Sequence, residues 1–232
     1  MIIFRGKALD SVAPVKIEDI RVSPIQLNPI VRVRAAGYGE NFVEMRGGVR
    51  TVTVTFAALE DNLSLRQDFL RHISEWATSD TEEKIEISYH DGLYLMGICT
   101  AKPEPSTRQW WESKLRLTFT CFDNPYWNSV EQKSVACGTA FFANGDAVPL
   151  MEIRRTLSSA ASNQTYSNGS ESMTFSSIPA GDMVIDLNRQ TAKVGNSSIM
   201  GNYQYTSRFL RPRTGSQTIS GTGTVYYRER WM

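Results

Sequence analysis

Helical periodicity occurs once in this 232-residue chain, whereas alternation of apolar and polar residues recurs along its length. Leu63, Phe69, Leu70, Ile73, Trp76 and Ala77 fall on one stripe at helical spacing. They predict a single amphipathic helix over about 63–78, with Asp61 or Asn62 as its N-cap. Almost everything else reads as strand. Val49–Phe56 alternates and is β-branched nearly throughout, and Val31–Ala36 alternates with Arg32 and Arg34 on one face. We read these two runs as the arms of one long hairpin with a glycine-punctuated, charged tip from Gly37 to Gly48. Lys84–His90 and Leu93–Thr100 flank Asp91-Gly92, a two-residue type I′ turn signal. Lys114–Phe122 alternates again, with Leu115, Leu117 and Phe119 on one face. The fold class is therefore mainly β, and 232 residues suffice for two small cores.

Asn124-Pro125 and the polar run Asn128–Ser134 interrupt the pattern, which places a domain boundary near residues 124–136. The second part shows no helix. Val148–Arg155, Met173–Phe175, Met183–Leu187, Thr191–Val194 and Thr218–Arg228 read as short strands, which predicts a β-sandwich. The Ser/Asn-rich stretch Ser158–Ser172 reads either as a surface loop or as a turn between two weak strands.

The formal net charge is +1, divided as −3 over residues 1–132 (15 Lys+Arg, 18 Asp+Glu) and +4 over residues 133–232 (10 and 6). Bulk electrostatics thus give no sign of a nucleic-acid binder. Cys99, Cys121 and Cys137 cannot make a complete disulfide framework and are expected to be free thiols, as in a protein made in a reducing cytoplasm. No signal peptide and no apolar run of membrane-spanning length is read from the sequence.

Order along the last third adds a further constraint. Ile178-Pro179-Ala180-Gly181-Asp182 turns into the alternating Met183–Leu187, followed by Thr191–Asn196. Ser207-Arg208-Phe209-Leu210-Arg211-Pro212 then stops the chain before Gly215–Ile219 and the aromatic-rich Thr224–Trp231. This order resembles the C-terminal domain of the distal tail (Dit) proteins of long-tailed siphophages. The opening Met1–Lys7, and a long hairpin, a helix and two strands before residue 130, are similar to that family's start. The resemblance implies a ring-forming N-terminal β domain, a sheet or split barrel over 1–130, and a galectin-like sandwich over 135–232. It implies a hexameric ring hub at the tail tip of a virion, between the tail tube protein and a tail-associated lysin or baseplate hub protein. Phage DNA would pass through the channel without specific binding, and no membrane would be entered.

Candidate chemistry is sparse. His72 and His90 show no metal-ligand spacing, and no Gly-x-Ser-x-Gly nucleophile turn is present. Gly37-Tyr38-Gly39 is too short for a dinucleotide loop, and Gly221-Thr222-Gly223 reads as a turn or bulge. Asp182 is read as a turn residue and Asp186 as a polar strand residue. No catalytic, cofactor-binding or metal-ligating residue is expected, and the chain is read as a structural protein rather than an enzyme. The alternative is a carbohydrate-binding module, for which Trp110-Trp111 and the Tyr203–Tyr205 pair are the candidate stacking residues, although core or subunit contacts are their plainer use. Arg208, Arg211, Arg213, Arg228 and Arg230 are read as one solvated, aggregation-resistant edge, or as a contact to acidic partner subunits.

Overall fold

A computed structural model describes residues 1–33, 40–59, 66–102 and 114–232. Leu63, the N-cap candidates Asp61 and Asn62, Arg34, Gly37-Tyr38-Gly39 and Trp110-Trp111 lie outside them. The chain divides into two compact units, Met1–Trp127 together with Met232, and Asn128–Trp231.

The first unit runs β1 (Ile2–Phe4), β2 (Lys7–Ala8), α1 (Leu9–Val12), β3 (Val15–Val22), β4 (Leu27–Val33), β5 (Glu40–Gly47), β6 (Arg50–Ala58), α2 (Arg66–Ala77), β7 (Glu83–Ile87), β8 (Leu93–Ala101) and β9 (Leu115–Cys121). Antiparallel pairing gives the order β2-β1-β7-β8-β9-β6-β3. The strand β8 changes partner midway: Tyr94–Gly97 pairs with β7, and Ile98–Ala101 with β9. Gly97 stands at the changeover because a Cβ there would lie 3.1 Å from the Cys121 sulfur and 3.2 Å from the Thr120 carbonyl oxygen.

The bend at Gly97 folds the sheet over itself. β1 and β9 are three pairings apart, about 14 Å in a flat sheet, yet the rings of Phe4 and Phe119 meet at 4.9 Å. Trp76 of α2 closes the cluster edge-on, 5.6 Å from Phe4 and 5.9 Å from Phe119. The helix largely follows its sequence stripe: Phe69, Ile73, Trp76 and Ala77 are buried and Leu70 is half-buried at its margin, while Asp68, Arg71 and Glu75 form an exposed ion-pair row. Alternation also selects the core of the sheet, where Val52, Val54 and Phe56 of β6 and Leu115, Leu117 and Phe119 of β9 are buried.

Two pairings depart from the sequence reading. The run Val49–Phe56 is not the second arm of the hairpin. The strand β6 sits between β3 and β9, and the hairpin is β4 with β5, in register from Leu27↔Gly47 to Val33↔Glu40. The connection after β7 spans Ser88–Gly92 rather than two residues, closed by His90 N–H to the Ile87 carbonyl and Leu93 N–H to the His90 carbonyl. A type I′ turn needs positive φ at both central residues, and of this pair only Gly92 has it, at 75°.

The strand β10 (Trp127–Ser129) leads into the second unit. There follow β11 (Lys133–Ala136), β12 (Ala140–Ala143), β13 (Ala147–Leu157), β14 (Ala161–Ser167), β15 (Ser172–Ile178), β16 (Gly181–Asp186), β17 (Thr191–Val194), β18 (Ser197–Ser198), β19 (Gly215–Thr218) and β20 (Thr224–Trp231). One layer has the order β11-β20-β13-β16-β17-β18. The pairs β12–β19 and β14–β15, joined by a Ser167↔Ser220 bridge, form the other. Tyr166, Phe175 and Ile178 of the second layer pack into one core with Ile153, Ile185 and Val225 of the first, so the unit is a β-sandwich. The Ser/Asn-rich stretch resolves as the second of its two readings, the β14–β15 hairpin. Thr218–Arg228 is two strands, not one, broken at Ile219–Gly223.

Candidate functional site

Residues singled out for chemistry are mostly engaged in holding the fold. The Asp182 carboxylate accepts a hydrogen bond from Thr156 Oγ1 at 2.7 Å. Asp186 accepts the backbone N–H groups of Asn188 and Arg189 at 3.0 and 2.9 Å. Both residues lie in β16: Asp186 is the polar strand residue that its sequence suggests and also caps the turn that leaves the strand, whereas Asp182, read as a turn residue, is in the strand and pairs with Thr156. His72 lies on α2. The His90 ring packs 4.2 Å from Trp127 and 4.7 Å from Tyr89, and burial, reinforced by Arg50, pushes its pKa below the ordinary imidazole value. Cys99, Cys121 and Cys137 are free thiols. Burial, with Glu82 adding to it, pushes the Cys121 thiol up to about 12, so no thiolate forms there at neutral pH. Among the described residues no group of three His, Cys, Asp or Glu is placed to hold a metal ion, and no helix is long and apolar enough to cross a membrane.

The five C-terminal arginines do not form one edge. Arg228 donates to the Ser129 and Val130 carbonyls, and Arg230 is buried and donates to the Val148 carbonyl at 3.0 Å. Both are structural. Arg208, Arg211 and Arg213 are exposed and lie on the segment before β19. Between the two structural arginines, Glu229 is only 6% exposed. One of its oxygens accepts Lys133 Nζ at 2.9 Å, Asn144 N–H at 3.0 Å and Asn144 Nδ2 at 2.8 Å. Burial opposes its ionisation, but these bonds outweigh burial and hold the carboxyl below its usual range.

This arrangement carries an expected outcome. Because the folded-state pKa is depressed, the stabilisation from Glu229 is fully present above the ordinary carboxylate pKa and is lost as pH falls through the folded value. Glu229→Ala should cost about 1–2 kcal/mol at neutral pH through the hydrogen bonds lost to Asn144 and Lys133, both of which water can reach. Denaturant titrations at pH 7 and pH 3 check this, with a larger wild-type to variant gap at pH 7.

Two surfaces among the described residues are suited to receive another molecule. The first is the base of the β4–β5 hairpin. Ser23 and Thr51 exchange hydrogen bonds, Gln26 N–H reaches the Val49 carbonyl, and Gly48 N–H reaches the Gln26 carbonyl at 2.6 Å, so the hairpin leaves a fixed base. A groove of about 370 Å³ lies beside it, lined by Val22, Pro24, Ile25, Arg50, His90 and Trp127. Among the described residues β4 and β5 pair only with each other, so each keeps an outer edge without a strand partner.

The second is a groove of about 400 Å³ on the sandwich, lined by Glu171, Gln190, Tyr203, Tyr205, Arg208 and Arg211 among others. Tyr203 forms part of its floor. Its ring lies 5.8 Å from Phe175 and 5.7 Å from Phe209, and its hydroxyl donates to the Ser207 carbonyl at 2.7 Å. Tyr205 stands edge-on to it at 5.7 Å and is 84% exposed. Of the proposed stacking residues, this pair is described, with one ring serving the core and the other open. Glu171 was not singled out by sequence; its carboxylate comes from the turn before β15, about 30 residues from the tyrosines.

No protein-family model and no curated protein sequence matches the chain. Solved structures do. The SPP1 Dit (gp 19.1) protein, described as a paradigm of hub adsorption apparatus in Gram-positive infecting phages, matches with a TM-score of 0.79 at 17% identity. The match covers 100% of this chain and 98% of that one. Chains of the phage P2 baseplate in its activated conformation match with TM-scores of 0.46 with Ca and 0.43 with Sr, at 9% and 11% identity. They cover 96% and 94% of this chain and 92% and 91% of their own. The chain therefore has, end to end, the fold of the SPP1 Dit protein.

Proposed function

We propose that the chain is a structural distal tail protein of a phage or prophage, a subunit of a six-membered ring that joins the tail tube to the adsorption apparatus at the tail tip. The observation that carries this reading is the full-length match in fold, which spans both units rather than one common sandwich. A shared sandwich alone would say little about role. The ring is assigned to the first unit, 1–130 in the sequence reading, with the sandwich unit at its periphery.

The physics of ring closure favours this assignment. A ring repeats one heterologous contact around its axis, so each subunit needs two different, complementary patches. An open strand edge is one such patch, because main-chain hydrogen bonds supply affinity and alternate side chains set register. The β4–β5 hairpin offers two such edges on a fixed base. The tail tube protein and a lysin or baseplate hub protein are the partners proposed for the two ring faces. The reading needs no catalysis, and the described Asp182, Asp186 and Glu229 carboxylates are used within the sandwich.

Light scattering on purified protein after gel filtration, followed by negative-stain imaging of the main peak, tests the proposal. The expected result is a mass six times that of one chain, with rings that have a central hole. A monomer at all concentrations that stays monomeric when mixed with its tail tube protein overturns it.

A further inference from the structure

We propose that the sandwich groove around Tyr205 binds a sugar that carries an anionic group, either a uronate or a phosphosugar. The inference stands on the second unit alone and does not depend on the ring.

The groove combines three elements that a charged sugar needs. The first is an aromatic platform. Among the described residues Tyr205 is the most exposed large hydrophobic side chain, and it stands edge-on to Tyr203, which packs against Phe175 and Phe209. An aromatic ring left this open forgoes the burial that usually fixes it, yet it offers a flat face to the C–H side of a pyranose. The second is a set of planar polar groups. Gln190, Arg208 and Arg211 can each present two atoms to neighbouring hydroxyls, and Glu171 one oxygen. The third is charge. Two arginines line the groove against one carboxylate, and Arg213 adds a third guanidinium next to it through its bond to Ser170 at 2.9 Å. Arginine is the side chain suited to bidentate capture of carboxylate and phosphate.

The site is also built before any ligand arrives. Gln204 N–H donates to the Thr174 carbonyl at 2.9 Å and Arg208 N–H to the Ser172 carbonyl at 2.8 Å, so the 203–208 turn is tied to β15 at both ends. Gln190 is held at φ 54° in the turn that Asp186 organises. Glu171 is fixed through one oxygen, which accepts Arg211 N–H at 2.9 Å and Asn168 Nδ2 at 3.2 Å. Its other oxygen lies 3.8 Å from Arg211 Nε, beyond a direct hydrogen bond, and so keeps acceptor capacity. Burial resists ionisation of Glu171, but the Arg211 N–H, the Asn168 amide and the Arg213 and Arg211 charges together hold it ionised. Its carboxylate therefore stays a hydroxyl acceptor beside the two guanidinium donors of Arg208 and Arg211. Fixed groups lose little freedom on binding, which is what lets a shallow groove retain a small ligand.

Saturation-transfer NMR on the intact protein with glucuronate, glucose 6-phosphate and glucose tests the inference. Ring-proton transfer is expected from the two anionic sugars, with glucose about ten-fold weaker. Tyr205→Ala should abolish transfer, and Arg208→Gln should remove the preference for the anionic sugars while leaving weak glucose binding. Both positions are exposed, so unfolding is not expected from either change. A preference for only one of the two anionic sugars decides between uronate and phosphosugar. No transfer from any of the three, equal transfer from glucose, or unchanged binding by Tyr205→Ala would each overturn the assignment.

Discussion

Trp76→Ala lowers the stability of the first unit by about 3–5 kcal/mol, the range for truncating a buried aromatic to alanine. Trp76 is 6% exposed and does three things at once. Its ring closes the cluster with Phe4 and Phe119, where each aromatic pair adds about 0.5–1.5 kcal/mol beyond area burial. Its Nε1–H donates to the Lys7 carbonyl at 2.9 Å, tying α2 to β2. It also packs against β1 and β9 at once, through Phe4 and Phe119, the two strands that the fold of the sheet brings together. Losing about half of a domain's typical 5–15 kcal/mol puts the variant near its unfolding threshold. Equilibrium denaturation of wild type, Trp76→Phe and Trp76→Ala measures this. Trp76→Phe keeps ring contacts but loses the hydrogen bond, so it should fall between the other two. An alanine cost below about 1 kcal/mol, the scale of an ordinary substitution, would mean that α2 is not what closes the sheet.

How much of this was legible in sequence depended on whether a signal was local. The α2 stripe is local, and Phe69, Ile73, Trp76 and Ala77 are buried as their spacing requires. The alternation of β6 and β9 is local too, and it selects their core faces correctly. Partner choice is not local. Nearness in sequence suggests pairing Val49–Phe56 with Val31–Ala36, but β6 pairs with β3 and β9. The strand β3 carries no clean alternation, because its register shifts between Ile17 and Asp19 and the extra residue breaks the period of two between Ile17 and Ile20. Likewise β11 and β12 are four residues each, and β11 begins inside a polar run that reads as a linker. The groove on the sandwich shows the same limit. Tyr205 could be named from its neighbour Tyr203, whereas Glu171 joins it only through the fold. Separating Arg228 and Arg230, which hold carbonyls, from Arg208 and Arg211 required knowing which carbonyls lie in reach.

Excising the β4–β5 hairpin abolishes self-assembly while leaving the first unit folded, if the ring reading is right. Leu27 and Gly47 are cross-strand partners at the base, so residues 28–46 can be replaced by Asn-Gly, which supports a two-residue hairpin turn. The hydrogen bonds below the cut, from Gln26 to Val49 and from Gly48 to Gln26, do not involve the removed residues. The strand β6 keeps both of its partners, β3 and β9, so the core of the sheet is untouched. A narrower deletion of Gly39–Arg46 is a poorer probe, because it takes away β5 and leaves β4 with no strand partner. Two edges of seven and eight residues are long to leave open in a lone soluble chain, and subunit pairing is the use that removes the liability. Gel filtration with light scattering should therefore report a monomer for the excised variant, against a six-fold mass for wild type under the same conditions. Its thermal unfolding should stay cooperative, with a midpoint below that of the assembled wild type by no more than the lost subunit contacts account for. A variant that still assembles to the wild-type mass would place the ring contact elsewhere on the first unit, and the groove beside Arg50 and Trp127 would be the next surface to alter.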